Sequence, residues 1–177
     1  MASDEPAPAL VRVPSEGDYA IDPRRSSVSF STRQFFGLLP VRGTFALVEG
    51  SIHVARPVRA SSAAATVSSA SLDTRNPPRD WAIRSPAYLD TSAFPVISFT
   101  STALEEVAGT WVLRGGLTAR GVTRPLDVRI ERAGPAGSRW DLLATGTVDR
   151  FEFGITAMRG MAGRSLDLRL HLVTAAR

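Results

Sequence analysis

The stretch LDLRLHL (residues 166–172) alternates apolar and polar side chains without a break, and LDVRIE (residues 126–131) repeats the pattern. Successive side chains of a β-strand point to opposite faces. A period of two with one charged face is therefore typical of an antiparallel sheet that packs a core on one side and meets water on the other. These two stretches predict an all-β protein.

The same alternation, bounded by turn-forming residues, recurs through most of the chain. It predicts further strands that include residues 27–33, 41–48, 51–55, 60–72, 96–102, 139–148 and 151–156, with a hairpin at Glu49–Gly50. About eight or nine strands with turns between them favour an antiparallel β-barrel of about eight strands over a sandwich. The many small residues in 60–72 predict open space inside the barrel, which at this size holds one small ligand.

One region, residues 72–101, interrupts the strand pattern. Pro77 and Pro78 suit the first positions of a helix, where the missing N–H costs nothing, and the sequence predicts a short helix through residues 79–84. Ser85 precedes Pro86, which favours an end to the helix there. We expect this helical insert to cover or line one mouth of the barrel.

Length and composition exclude several kinds of chemistry. The 177 residues are 44% apolar and 21% charged, which fits one globular domain, and we place it at residues 18–177 after a disordered tail at residues 1–17. Lysine and cysteine are both absent, so Schiff bases, P-loops, thiol nucleophiles and thiolate metal sites are excluded. No run of 18 apolar residues is present and the first residues do not have the pattern of a signal peptide, so we expect a cytoplasmic protein without an integral membrane segment. An extracytoplasmic location stays open if the start site is misassigned.

The residue types needed for catalysis are scarce. Strand parity points His53 and His171 outward, which argues against a metal site and against a serine triad. The arginines alternate with acids, so no basic stripe for nucleic acid is predicted. We expect no enzyme, no metal and no cofactor.

An ordered series of short motifs carries a resemblance to a known family. It consists of residues 19–22 (YAID), 27–30 (SVSF), 41–45 (VRGTF), 72–74 (LDT), 79–80 (RD), 84–85 (RS), 88–90 (YLD), 94–95 (FP), 97–101 (ISFTS), 116–118 (GLT), 120–125 (RGVTRP), 148–150 (VDR) and 153–155 (FGI). Together these segments resemble the YceI-like family over about residues 18–173. The resemblance implies a lipocalin-like barrel whose interior holds a long isoprenoid or similar amphiphilic lipid, and it allows a homodimer.

Strand parity and this resemblance together give the candidate ligand-binding residues. The expected apolar lining is Phe30, Phe45, Ile97, Phe99, Leu117, Val128, Trp140, Leu168 and Leu170. Arg79 or Arg150 could pair with a polar head group at the mouth, with a structural salt bridge to Asp80 or Asp149 as the alternative. Trp81 and Ile83 join the candidates, since they stand where the family usually carries Arg-Asp-x-His-Leu and this chain has RDWAI.

The function that follows is binding, carriage or sequestration of a polyisoprenoid or other long apolar lipid. Two alternatives remain open. An enzyme acting on a small hydrophobic substrate would need a buried, strongly perturbed carboxylate or histidine. A ligand-free, stress-related scaffold would have an interior packed solid with Phe and Trp.

Overall fold

A computed structural model describes residues 11–34, 37–158 and 162–176. Among them are one α-helix, α1 (Pro77–Arg84), and ten strands. The strands are β1 (Gly17–Ala20), β2 (Ser27–Gln34), β3 (Leu39–Phe45), β4 (Leu47–Val54), β5 (Ser62–Ser68), β6 (Val96–Val107), β7 (Thr110–Ala119), β8 (Val122–Ala136), β9 (Arg139–Asp149) and β10 (Ser165–Val173). Short 3₁₀ turns lie at Val58–Ala60, Ser69–Ser71 and Arg150–Phe153. No helix in these residues is long and apolar enough to cross a membrane.

The ten strands form one antiparallel sheet in the order β1-β4-β5-β6-β7-β8-β9-β10-β2-β3. The chain passes through the single residue Ala46 from β3, at one edge, to β4, next to the other edge. The sheet must therefore curl round on itself, and the predicted barrel is confirmed as a curled sheet whose edge strands β1 and β3 share no ladder.

Strand directions define two ends of this curled sheet. Among the described residues, the helical end comprises residues 33–34, 37–39, 69–96, 119–124, 149–158 and 162–165, and the tail end comprises residues 54–62, 107–110, 136–139 and 173–176. Residues 11–16 lie near the tail end, where Arg12 N donates to Ala133 O at 2.9 Å and Tyr19 Oη donates to Ser15 O at 2.7 Å. The part of the predicted tail that the structure describes thus contacts the sheet.

The two sequence stretches that predict the fold behave as expected. In β8, Leu126 and Val128 are buried while Asp127 and Arg129 are exposed. Residues Leu168 and Leu170 of β10 pack against the same core cluster. The alternation therefore sorts apolar side chains to the inside of the curl, as a half-buried antiparallel sheet requires.

Two local predictions are wrong. Glu49–Gly50 is not a hairpin turn but lies inside β4. A Cβ at Gly50 would come within 2.7 Å of the Ile21 side chain, so the glycine permits that close approach. Residues 151–156 are not a strand either, since the chain forms the 3₁₀ turn Arg150–Phe153, which ends at Gly154 with a φ of 73°.

The predicted helix is confirmed. The Asn76 side chain caps it by accepting from Arg79 N at 3.1 Å, and Pro77 and Pro78 occupy its first positions. Arg84 in the last turn fixes the helix to the segment after β5, with Nε donating to Ala70 O at 2.9 Å and Nη2 donating to Leu72 O. The helix is thus held at the helical end by its own terminal side chains.

At the tail-end half of the sheet, an ionic cluster ties β9 to β10. The Asp141 carboxylate lies 2.7 Å from His171 Nε2 and accepts from Arg132 Nη2 at 3.2 Å. The hydrogen bond with His171 is the main reason why the pKa of Asp141 lies below its ordinary value of 3.8, and burial opposes that shift. A lowered folded-state pKa means that the carboxylate stabilises the fold above the ordinary pKa, and that this contribution is lost as the pH falls.

We therefore expect Asp141→Asn to lower the melting temperature by about 2–4 °C at pH 5, corresponding to about 1 kcal/mol. The difference between wild type and variant should shrink as the pH is lowered from 5 towards 2.5, because protonation progressively removes the charge of the wild-type carboxylate. Thermal melts followed by circular dichroism measure both. Asp90→Asn is the control, since Asp90 takes part in none of the ion pairs of the described residues. A difference independent of pH would contradict this role of Asp141.

Candidate functional site

The interior of the curled sheet contains a cavity of about 400 Å³. Nearly every side chain that lines it is apolar, and the lining comes from β2 to β10, from α1 and from the segments after α1 and β9. Apolar cavities of this size are typical of small-molecule binding sites. The interior is therefore not packed solid.

Most of the residues predicted from the sequence meet in this cavity. Its lining contains Phe30, Phe45, Arg79, Ile83, Ile97, Phe99, Leu117, Val128, Arg150, Leu168 and Leu170. The apolar members come from six strands and from α1, so the fold brings together residues that lie far apart in sequence. Whether they contact a ligand stays a prediction.

The two candidate tryptophans lie elsewhere. Trp140 lines a separate recess of about 80 Å³ near the tail end, together with Val11 and Trp111, so the prediction that it lines the main cavity is wrong. It is the second residue of β9, and the recess adjoins the main cavity, with which it shares Leu104 and Leu142. Trp81 is 76% exposed and outside the cavity lining, because its helix turns Ala82 and Ile83 inward instead.

Two glycines in the sheet set the positions of the aromatic rings in the cavity wall. A Cβ at Gly43 would come within 2.5 Å of the Phe30 ring, and one at Gly115 would collide with the Phe99 ring and with Thr100 O. Phe30 in turn packs against Phe45, with ring centroids 5.6 Å apart. The rings lie close to the backbone, which leaves the centre of the barrel open.

Arg150 is a buried cation in the cavity wall at the helical end, with only 6% of its surface exposed. Its guanidinium donates to four backbone carbonyls, those of Gly163 (2.7 Å), Ile155 (2.7 Å), Ala157 (2.8 Å) and Ala162 (3.2 Å). This pattern holds the irregular chain after β9 in place. Asp149 forms an ion pair with Arg164 at 2.7 Å, and a head-group role of Arg150 stays a prediction.

Arg79, on α1, is half-buried and has a different set of partners. Its Nε donates to Thr74 Oγ1 at 2.8 Å and its Nη2 to Thr74 O at 3.0 Å. Buried Asp80 accepts from Thr74 N at 3.0 Å and from Thr74 Oγ1 at 2.5 Å. Thr74 therefore lies between the two charged side chains, and the salt bridge from Arg79 to Asp80, given above as the alternative, is not among the ion pairs of the described residues. Within the described residues, Nη1 of Arg79 has no hydrogen-bond partner.

Several lining residues were missed by the strand-parity prediction. They are Tyr88, Leu89, Phe153 and Ile155 at the helical end, and Ala63, Ala64 and Ala65 in β5. The first four lie outside strands, where a period of two carries no information. The sequence feature that could have identified these four residues is the pair of motifs at residues 88–90 and 153–155, which contribute to the family resemblance.

The cavity holds little that could act as an acid or a base. The four described groups with a displaced pKa are Arg114, Asp141, Asp149 and Arg164, and none of them lines the cavity. The hydrogen bond from Arg164 chiefly lowers the pKa of Asp149 at the rim. Among the described residues, no group of three His, Asp or Glu side chains could hold a metal ion.

Comparison with known proteins agrees with this geometry. The model of the YceI-like domain matches residues 19–174. The chain belongs to the YceI-like family. A UPF0312 protein of Shewanella baltica is 33% identical over 165 residues, covering 88% of this chain and 86% of the relative. A UPF0312 protein of Enterobacter is 29% identical, covering 85% of this chain and 82% of the relative.

Solved structures of this YceI-like fold superpose on the chain at low sequence identity. BcnA of Burkholderia cenocepacia has a TM-score of 0.77 at 19% identity, covering 88% of this chain and 99% of the other. A polyisoprenoid binding domain from Saccharophagus degradans has a TM-score of 0.68 at 14% identity, covering 90% and 98%. These likenesses confirm the predicted lipocalin-like architecture.

Proposed function

We propose that the chain binds and carries a long-chain isoprenoid or a similar amphiphilic lipid inside the curled sheet. The observation that carries the proposal is the apolar cavity of about 400 Å³, lined from nine of the ten strands and capped by α1. Membership of the family supports it, as does the likeness to a polyisoprenoid binding domain. A cytoplasmic location and a homodimer remain predictions of the sequence.

The energetics allow tight binding. At about 0.3 kcal/mol per heavy atom, a tail of about 20 carbons contributes about 6 kcal/mol and one of about 40 carbons about 12 kcal/mol before other losses. Strand β10 has 9 residues and so spans roughly 30 Å. An extended tail thus finds an apolar wall along most of its length.

A binding role fits this site better than the alternatives. An enzyme would need a buried carboxylate or histidine in the cavity, and the described residues that line it include no Asp, Glu or His. A filled scaffold would leave no cavity of this size. We therefore propose a carrier without catalytic activity.

Native mass spectrometry with organic extraction tests lipid occupancy. Ala65 lines the cavity opposite Phe99, so Ala65→Phe puts a second ring into it, and we expect at least a tenfold loss of bound lipid. Thr100→Phe is the matched control, since Thr100 is the exposed neighbour of Phe99 and should retain lipid. If wild-type protein yields no lipid and binds no prenyl alcohol or phosphate in titration, the carrier role is wrong.

The head-group contact belongs to Arg79 in this proposal, because its Nη1 is free among the described residues while the Arg150 guanidinium donates to four carbonyls. Arg79→Gln should weaken binding of a prenyl phosphate by at least tenfold, as expected for a charged hydrogen bond. Binding of the corresponding prenyl alcohol should change little. Titration by intrinsic fluorescence measures both, with the exposed Arg24→Gln as control. Equal losses for the two ligands would remove Arg79 from head-group recognition.

A further inference from the structure

The two ends of the protein differ in how much apolar surface they expose. Among the described residues, the large hydrophobic side chains with high exposure are Val13, Leu38, Leu39, Val48, Trp81, Val96, Val107 and Met158. Five of these eight lie at the helical end, and Leu38 and Trp81 are the most exposed, at 78% and 76%. An uneven distribution of this kind marks an interaction surface.

Trp81 is the clearest member of this group. Its neighbour Asp80 is buried at 5% exposure and Ile83 lines the cavity, so α1 itself is firmly seated while the indole remains in solvent. The other two tryptophans, Trp111 and Trp140, line the recess near the tail end. Tryptophan is the side chain most characteristic of membrane–water interfaces, because its ring is apolar and its N–H is polar.

The charges at the helical end have a matching asymmetry. Its described residues include eight arginines, at positions 33, 75, 79, 84, 120, 124, 150 and 164, against five acids, at 73, 80, 90, 149 and 152. Of the ten ion pairs in the described residues, only Arg164–Asp149 lies at this end. Elsewhere acids neutralise many of the arginines, for example Arg114 between Glu105 and Asp127.

We propose that the helical end docks on the surface of an anionic lipid bilayer, with Trp81 inserted at the interface. Exposed apolar side chains beside excess arginine are the combination that binds such surfaces, and each arginine near the surface contributes about a fivefold gain in affinity. Docking in this orientation presents the helix-covered end of the cavity to the membrane. The surface does not depend on whether the cavity holds a lipid.

Vesicle sedimentation tests the docking surface. Wild-type protein should bind phosphatidylglycerol–phosphatidylcholine vesicles, bind pure phosphatidylcholine at least tenfold more weakly, and lose binding as salt is raised. Trp81→Ala should reduce binding at least fivefold. Val107→Ala is the control, because Val107 is 44% exposed at the tail end. Brominated lipids should quench an emission component that Trp81→Ala removes.

The charge requirement has its own matched pair of variants. The first is a double variant that removes two exposed arginines of the helical end, Arg33→Gln and Arg124→Gln. The second is a double variant that removes two exposed arginines elsewhere on the surface, Arg24→Gln and Arg169→Gln. Only the first pair should weaken vesicle binding, by at least tenfold. Equal effects of the two pairs, or unchanged binding by Trp81→Ala, would overturn the proposal. So would Trp81-dependent dimerisation in sedimentation velocity without vesicle binding, which would assign the surface to a second copy.

The variant Ala65→Phe separates this proposal from the carrier role. It alters the interior alone, so it should bind vesicles like wild type even when it carries no lipid. Loss of vesicle binding in Ala65→Phe would contradict an independent docking surface. If wild-type protein contains bound lipid but does not bind vesicles, the docking proposal is wrong and the carrier role is unaffected.

Discussion

Curling of one sheet through Ala46 is the constraint on which the structure depends. Because β3 continues into β4 with one residue between them, the two regions of the sheet that they join must approach each other, and one face of every strand turns inward. Period-two alternation then fills that face with apolar side chains. Close approaches at Gly43 and Gly115 keep the Phe30 and Phe99 rings near the wall, so the centre stays open.

The ends of the curled sheet are closed by different means. At the tail end, residues 11–16 and the Asp141–His171 pair contribute polar and backbone contacts. At the helical end, α1 is seated by Asn76, Asp80 and Arg84, and Arg150 gathers the chain after β9 through backbone carbonyls. Arg84 and Arg150 at this end thus donate their hydrogen bonds to backbone carbonyls. The cavity lining stays mostly apolar, and few polar groups remain to bind a ligand.

The sequence alone predicted the all-β class and the short helix with its prolines. It also predicted the apolar residues that line the cavity, and among those candidates only Trp81 and Trp140 lie outside the lining. Those successes depend on a regular period and on capping chemistry, which are local. Trp140 has the right parity but lies too close to the tail end, and parity carries no information on depth along a strand. Gly50 was misassigned because a glycine in a turn and one in a close approach to Ile21 look identical in sequence. Arg150 was identified, but its carbonyl partners come from residues without periodicity.

The most direct test of the central claim is a crystal structure of protein purified from cells without delipidation. We expect continuous elongated density through the cavity, in contact with Phe99, Leu117 and Leu168, with its polar end near Arg79. A cavity collapsed onto its own side chains, or one that contains only water, would contradict the claim that the curled sheet is built to hold an apolar chain.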